Sequence, residues 1–277
     1  MYDPPEGPPP GWRPLKDVTF APVHDEHWPK LAARGWTTVT SAPDTDALVT
    51  AAAAFFAQPA AAKEVPGYTH IAGEKQLLTL TSPTQFPPAA AIWTQARKLL
   101  LEALAAVERS LAMPPGALSR FDGTHSILRV FDYEGAGLVA EPHCDLGLLT
   151  LVVSTTPGLE VWDDGWVPIE RNSIAGTLLV GTELAFLTNG RYSAGRHRVV
   201  ADGPRYSVVF ALRAHWPTPI DYTTLSTPIT GTFAGPPTAG ELAQRIRATR
   251  YNINGPVEGR KRPALAQSAQ SPANLSK

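Results

Sequence analysis

The chain has 277 residues and a formal net charge of −1, which leaves no basic footprint for nucleic acid and no acidic tail. Only 18% of its residues are charged and 28 are Pro, a composition that favours turns and irregular loops over long helices, while the length suffices for one sizeable β-rich core. A single cysteine, Cys144, excludes an internal disulfide, and neither a basic-then-apolar leader nor a long apolar run is present, so a cytoplasmic protein without a membrane partner is expected.

Residues 1–14 hold six prolines and read as an arm without a core of its own. The run Trp36–Thr40 is aromatic and β-branched, a strand. Asp44–Phe56 is Ala-rich with apolar spacing and reads as a helix that ends near Pro59. A second helix is predicted from Ala89 to Leu111, with Ile92, Ala96, Leu100, Leu104, Val107 and Leu111 on one stripe and Pro114-Pro115-Gly116 as the stop. After Phe121 the period changes. Ser126–Tyr133, Leu148–Ser154, Leu159–Trp162, Trp166–Ile169, Thr177–Val180, Leu184–Leu187, His197–Val200 and Tyr206–Arg213 all read as strands, separated by breaks such as Pro157-Gly158 and Asn189-Gly190. Many short strands at this spacing predict a closed barrel or jelly roll. A last helix follows at Ala239–Arg250, then a polar tail. The expected organisation is an arm at 1–14, a helical and strand portion at 15–120, a jelly-roll core at 121–220, and a C-terminal helix and tail at 221–277, together one compact unit.

Two clusters carry chemistry. Side chains at i and i+2 of a strand share a face, so His143 and Asp145 can point together into a barrel while Cys144 points away as a small buried hydrophobe. His197 begins another predicted strand and can supply a third ligand. Two imidazoles and one carboxylate on one side of a metal leave three positions open, the arrangement of non-haem iron oxygenases. A tripeptide His-x-Asp is common by chance and weak alone. The second cluster strengthens it: Arg205 and Ser207, again i and i+2, place a guanidinium fork and a hydroxyl on one face, a clamp for a carboxylate. The blander alternative is a rim Arg in a salt bridge beside a satisfied Ser. His24, His27, His70, His125 and His215 lack a partner at useful spacing, and Asp163-Asp164-Gly165 reads as a tight turn. Arg191, Arg196 and Arg198 flank His197 and read as solvated loop charge. Neither a dinucleotide nor a P-loop motif is present.

His143-x-Asp145, Leu148–Leu151, Gly158–Val161, Trp166–Pro168, Leu187–Ser193, His197–Val200 and Arg205-x-Ser207 resemble, in order and spacing, the isopenicillin N synthase-like family of iron(II)/2-oxoglutarate oxygenases. Gly35–Val39 and Phe55-Phe56-x-x-Pro59 with Lys63 resemble its N-terminal part more faintly. The resemblance implies a mainly β fold, a double-stranded β-helix flanked by α-helices, with Fe(II) on His143, Asp145 and His197. It implies 2-oxoglutarate as co-substrate, its far carboxylate held by Arg205, Ser207 and Tyr133, with O2 as oxidant and ascorbate helpful in vitro. Where many members carry Asn two residues before that tyrosine, this chain has Phe131, which removes a polar contact near the co-substrate.

The expected activity is hydroxylation, desaturation or ring formation on a small metabolite, with specialised, antibiotic-like biosynthesis as the associated setting. If Tyr133 points inward, the period of two turns Phe131 and Arg129 inward too. Phe131 then lines an apolar wall, and Arg129 is a second buried cation whose partner is either an anionic substrate or a nearby carboxylate, Glu74 or Glu141. A monomer is expected. The rival readings are an oxidase of the same fold that takes no 2-oxoglutarate, a metal-binding ligand sensor without turnover, and a zinc hydrolase.

Overall fold

The computed structural model describes residues 27–40, 42–169 and 176–249; the arm expected at 1–14 and the tail after the last helix lie outside them. Among the described residues, eleven strands form two antiparallel sheets that face each other. The large sheet runs in the order β1 (Trp36–Val39), β9 (Gly176–Val180), β6 (Leu149–Ser154), β11 (Arg205–Leu212), β4 (Ile127–Tyr133), β3 (Lys75–Leu80), β2 (Tyr68–Ile71). The small sheet runs β5 (Gly137–His143), β10 (His197–Ala201), β7 (Leu159–Trp162), β8 (Trp166–Pro168). This is a jelly roll, as expected, with helices α1 (His27–Arg34), α2 (Asp46–Phe56), α3 (Ala90–Ser110), α4 (Thr182–Leu187), α5 (Tyr222–Leu225) and α6 (Ala239–Ala248).

Strand alternation gives the large sheet two different faces. Leu128 and Val130 of β4, Val208, Phe210 and Leu212 of β11, and Leu149 and Leu151 of β6 are buried on one face, in a core shared with Ile92, Ala96, Leu100, Leu104 and Val107 of α3. Trp93 meets Phe210 edge-on, with centroids 5.1 Å apart. The other face looks at the small sheet. There Phe131 and Tyr133 of β4 pack with Val139, Ala140, Val161, Val199 and Ala201 in a smaller, separate core. The outer face of the small sheet carries Arg196 over Trp162 and Trp166, and Arg198 over Trp166 and bonded to Glu160 Oε2 at 2.5 Å. These arginines beside His197 belong to a stacked surface cluster rather than to free loop charge.

Three expectations need correction. Leu184–Leu187 is not a strand but the end of α4. A short apolar run fits either period, and Glu, Leu and Ala without a β-branched residue favour the helix. Asp145 lies beyond the end of β5, on the loop that follows, so its place beside His143 does not come from strand alternation. Cys144 is half-buried rather than buried, with Sγ 3.8 Å from Ala194 O. The strands β2, β3 and β5 escaped the sequence reading; β5 holds Gly, Pro, Glu and two small apolar residues and lacks a clean pattern.

Candidate active site

The small sheet brings the histidines together. β10 pairs with β5 so that His197 lies opposite His143, and their rings stand 4.1 Å apart, tilted by 52°. Asp145 arrives from the loop. Its backbone carbonyl accepts two hydrogen bonds from Thr182 at the start of α4, from N at 2.9 Å and from Oγ1 at 2.6 Å. This anchoring needs a very close approach: a Cβ on Gly181 would stand 1.8 Å from Gly147 O, so only glycine fits there.

One donor atom from each of His143, Asp145 and His197 lies within 4.8 Å of the others, a spacing a single metal ion can bridge. The ring orientations suit that purpose. His143 Nδ1–H donates to Glu141 O at 2.7 Å and His197 Nδ1–H to Gly195 O at 3.1 Å, which leaves each Nε2 lone pair for a metal. Asp145 Oδ2 is buried and has no hydrogen-bond partner. Burial and the neighbouring His197 hold the His143 imidazole well below its usual range, so it stays neutral. Burial pushes Asp145 up, but His197 and His143 more than offset it, and the carboxyl stays ionised below its usual range. A neutral imidazole at His143 and an ionised carboxylate at Asp145 are protonation states a divalent metal requires. The donor set therefore fits Fe(II).

The large sheet faces these ligands with a ladder. β11 pairs with β4 so that Arg205 lies opposite Tyr133, Ser207 opposite Phe131 and Val209 opposite Arg129. All six residues line one cavity of about 50 Å³ together with His143, Asp145 and His197. Arg205 is 2% exposed, yet its Nε and Nη1 have no partner; Nη2 makes one long bond of 3.5 Å to Thr156 O. Its guanidinium stands 5.3 Å from the Tyr133 ring centroid. Ser207 Oγ and Ser154 Oγ are 3.0 Å apart. Burial pushes the Tyr133 phenol up to about 12, so it remains a donor. A buried cation with unused fork donors, flanked by a hydroxyl and a phenol, calls for an anion with several acceptor oxygens. Phe131 stacks on Tyr133 at 5.5 Å and closes the wall.

Arg129 donates Nε–H to Thr79 Oγ1 at 3.2 Å, and Arg213, Asp145 and Tyr133 act on it electrostatically. Lys63, the end of the Phe-Phe-x-x-Pro…Lys element, donates to Phe56 O and Gln76 Oε1, both at 2.9 Å, and so ties α2 to β3. His125 lies away from the metal ligands, stacked on Trp216 at 4.4 Å.

Residues 125–214 match the model of the 2OG-Fe(II) oxygenase superfamily, and that stretch contains every residue of the ladder and of the metal triad. Over that stretch the chain is similar to the 2OG-Fe(II) oxygenase superfamily. The donor sets just described suit the Fe(II) and 2-oxoglutarate that the superfamily's name implies. "2-oxoglutarate-dependent dioxygenase 19" of Oryza sativa subsp. japonica is 32% identical over 130 residues, which take in 42% of this chain and 38% of that protein. The chain thus spans well under half the length of that curated relative. A full-length Neurospora crassa protein solved in complex with alpha-KG superposes with a TM-score of 0.66 at 18% identity, over 78% of this chain and 87% of that one. A dioxygenase for auxin oxidation in rice gives a TM-score of 0.65 at 20% identity, over 78% and 86%. These structures share the oxygenase fold.

Sequence reasoning missed Arg213 and Glu183. Arg213 stands just past the end of β11, continuing its inward register beyond Ser207 and Val209, and its Nε is buried without a partner. Glu183 of α4 is fully buried; Oε2 accepts from Ala214 N at 3.1 Å and Oε1 has no partner. The period of two could have found Arg213; Glu183 directly precedes the run Leu184–Leu187 that reads as a strand.

Proposed function

We propose that this protein is an Fe(II)- and 2-oxoglutarate-dependent dioxygenase that hydroxylates, desaturates or cyclises a small anionic metabolite. The observation that carries the reading is the buried, unsatisfied Arg205 fork facing the His143–Asp145–His197 triad across one cavity. Fe(II) bound with 2-oxoglutarate supplies O2 activation coupled to oxidative decarboxylation of the co-substrate. The chain's own work is placement. His143, Asp145 and His197 hold the metal from one side and leave the opposite side open. Arg205, Ser207 and Tyr133 bind the far carboxylate of 2-oxoglutarate, so its keto-acid end is directed at the triad. Phe131, Val199 and Leu159 keep that space apolar and exclude water from the reacting groups. Arg129, on the same face, offers its remaining guanidinium donors to a carboxylate of the substrate. Specialised, antibiotic-like metabolism is the setting we assign to it, by association with the family's chemistry.

The test is succinate release from 2-oxoglutarate by protein supplied with Fe(II), O2 and ascorbate, with and without candidate carboxylate substrates. Substrate-stimulated succinate supports the reading. Oxygen uptake that is indifferent to 2-oxoglutarate would point instead to the oxidase of the same fold, with Arg205 and Ser207 holding the substrate's own carboxylate.

A further inference from the structure

At the Arg205 end of the ladder one cation faces one expected carboxylate. At the other end the charges do not balance. Arg213 is the charge that acts most strongly on Arg129, and Asp145 attracts both guanidiniums. The loop that carries Asp145 makes room for this: a Cβ on Gly147 would stand 3.1 Å from Arg213 Cγ and 2.5 Å from Leu212 O. Arg213 N donates to Ser126 Oγ at 3.2 Å, which fixes the backbone from which the side chain leaves. Its Nε finds no acceptor, and Arg129 spends its Nε on a neutral hydroxyl. The anions at hand are Asp145 and Glu183. Once Asp145 is committed to a divalent metal, its charge no longer compensates the arginines. Glu183, whose carboxyl burial pushes up to about 7, then offsets the guanidiniums of Arg129 and Arg213 only in part, and Arg247 adds positive charge beside it, so positive charge is left over. A buried unpaired cation is costly, so the pocket is short of an anion.

We propose that Arg213 and Arg129 together seat a carboxylate of the substrate on the Asp145 side of the cavity, making the substrate a small organic carboxylate. The proposal rests on the oxygenase reading of the same cavity and adds Arg213 to it. Two cavity ends then divide the work: the Arg205 end takes the co-substrate's far carboxylate, and the Arg129–Arg213 end takes the substrate's. The C–H bond to be attacked lies between the two anchors, a short distance from the substrate's carboxylate.

The experiment uses the full chain loaded with Mn(II) in place of Fe(II) and saturated with 2-oxoglutarate, so that the Arg205 clamp is already filled. Calorimetric titrations with butanoate, octanoate and phenylacetate are compared with their primary amides and with phenyl phosphate. At least one carboxylate should bind, its amide should bind about tenfold or more weakly, and Arg213→Met and Arg129→Met should each remove a similar factor, the scale of one lost charge-assisted contact. The affinity for 2-oxoglutarate, titrated separately, should stay within about twofold in both variants, a change well under one such contact. Arg213→Lys, which keeps the charge and is the less disruptive change, should fall between. No carboxylate binding, amides that bind as well as acids, a preference for phenyl phosphate, or Arg213 variants with unchanged carboxylate affinity would each overturn the proposal. Failure of wild-type protein to bind 2-oxoglutarate would instead strike the oxygenase reading, so the two failures are distinguishable.

Discussion

The two faces of the large sheet are built from the same strands, residue by alternate residue, yet they obey different rules. On β4 and β11 the residues turned toward α3 are Leu128, Val130, Val208, Phe210 and Leu212, all buried and apolar. The residues turned toward the small sheet include Arg129, Phe131, Tyr133, Arg205, Ser207 and Val209. The first face is complete in itself, filled by α3. The second holds buried donors without acceptors at Arg205 and, beyond the strand end, at Arg213. A protein keeps such groups only where something outside the chain completes them. One face therefore stabilises the fold, and the other holds the chemistry at some cost to it.

That contrast can be broken from either side. The largest effect is expected at the metal ligands. His197→Ala should abolish turnover and lower metal affinity strongly, while the thermal unfolding midpoint of metal-free protein changes little; metal content after dialysis and calorimetry check this. On the helix-facing side, Phe210→Ala should cost about 3–5 kcal/mol of unfolding free energy, as large-to-small core changes do, and leave the 2-oxoglutarate affinity of the folded fraction unchanged. Denaturant melts beside ligand titrations read both. On the cavity side the pattern should invert: Arg205→Met should cost about 2–5 kcal/mol of 2-oxoglutarate binding, mainly as a raised apparent KM, with no loss of stability in the absence of ligand.

The smallest effect concerns Glu183. Burial pushes its carboxyl up to about 7, with the Ala214 N–H and Arg213 only partly offsetting it. The folded state therefore holds a proton that the unfolded state, titrating near 4.5, gives up. Stability from this group is fully present below the unfolded value and falls as pH rises toward 7, on the order of 3 kcal/mol in total. Glu183→Gln should flatten that decline, measured as the difference between wild-type and variant unfolding free energies from pH 5 to pH 8. A variant curve parallel to wild type would remove Glu183 from the account.

Much of this was legible from local pattern. The α3 stripe, the strands β4, β6, β7 and β11, and the i, i+2 pairing of Arg205 with Ser207 follow from period alone, because one buried face fixes alternation. The three metal ligands were also legible, but Asp145 for a different reason than strand geometry implied: it is placed by Thr182 and by the Gly147–Gly181 approach, contacts between segments far apart in the chain. Glu183 was hidden because its helix went unrecognised: the apolar run that follows it, Leu184–Leu187, fits helix and strand alike. The strand β5 was hidden because Gly137 and Pro142 interrupt any pattern. What Arg129 meets was not legible either, since Thr79 comes from the unrecognised β3 and Arg213 from the end of β11.

The central claim is that the inner face of the barrel is incomplete until metal and 2-oxoglutarate fill it. The most direct measurement is the thermal unfolding midpoint of Mn(II)-loaded wild type and Arg205→Met, each with and without 2-oxoglutarate. At a ligand concentration about 100 times Kd, binding to the native state alone adds about 2.7 kcal/mol. The account predicts a clear upward shift in wild type and little or none in Arg205→Met, whose midpoint without ligand equals or exceeds that of wild type. Equal shifts in both proteins, or a variant that is markedly less stable before any ligand is added, would contradict it.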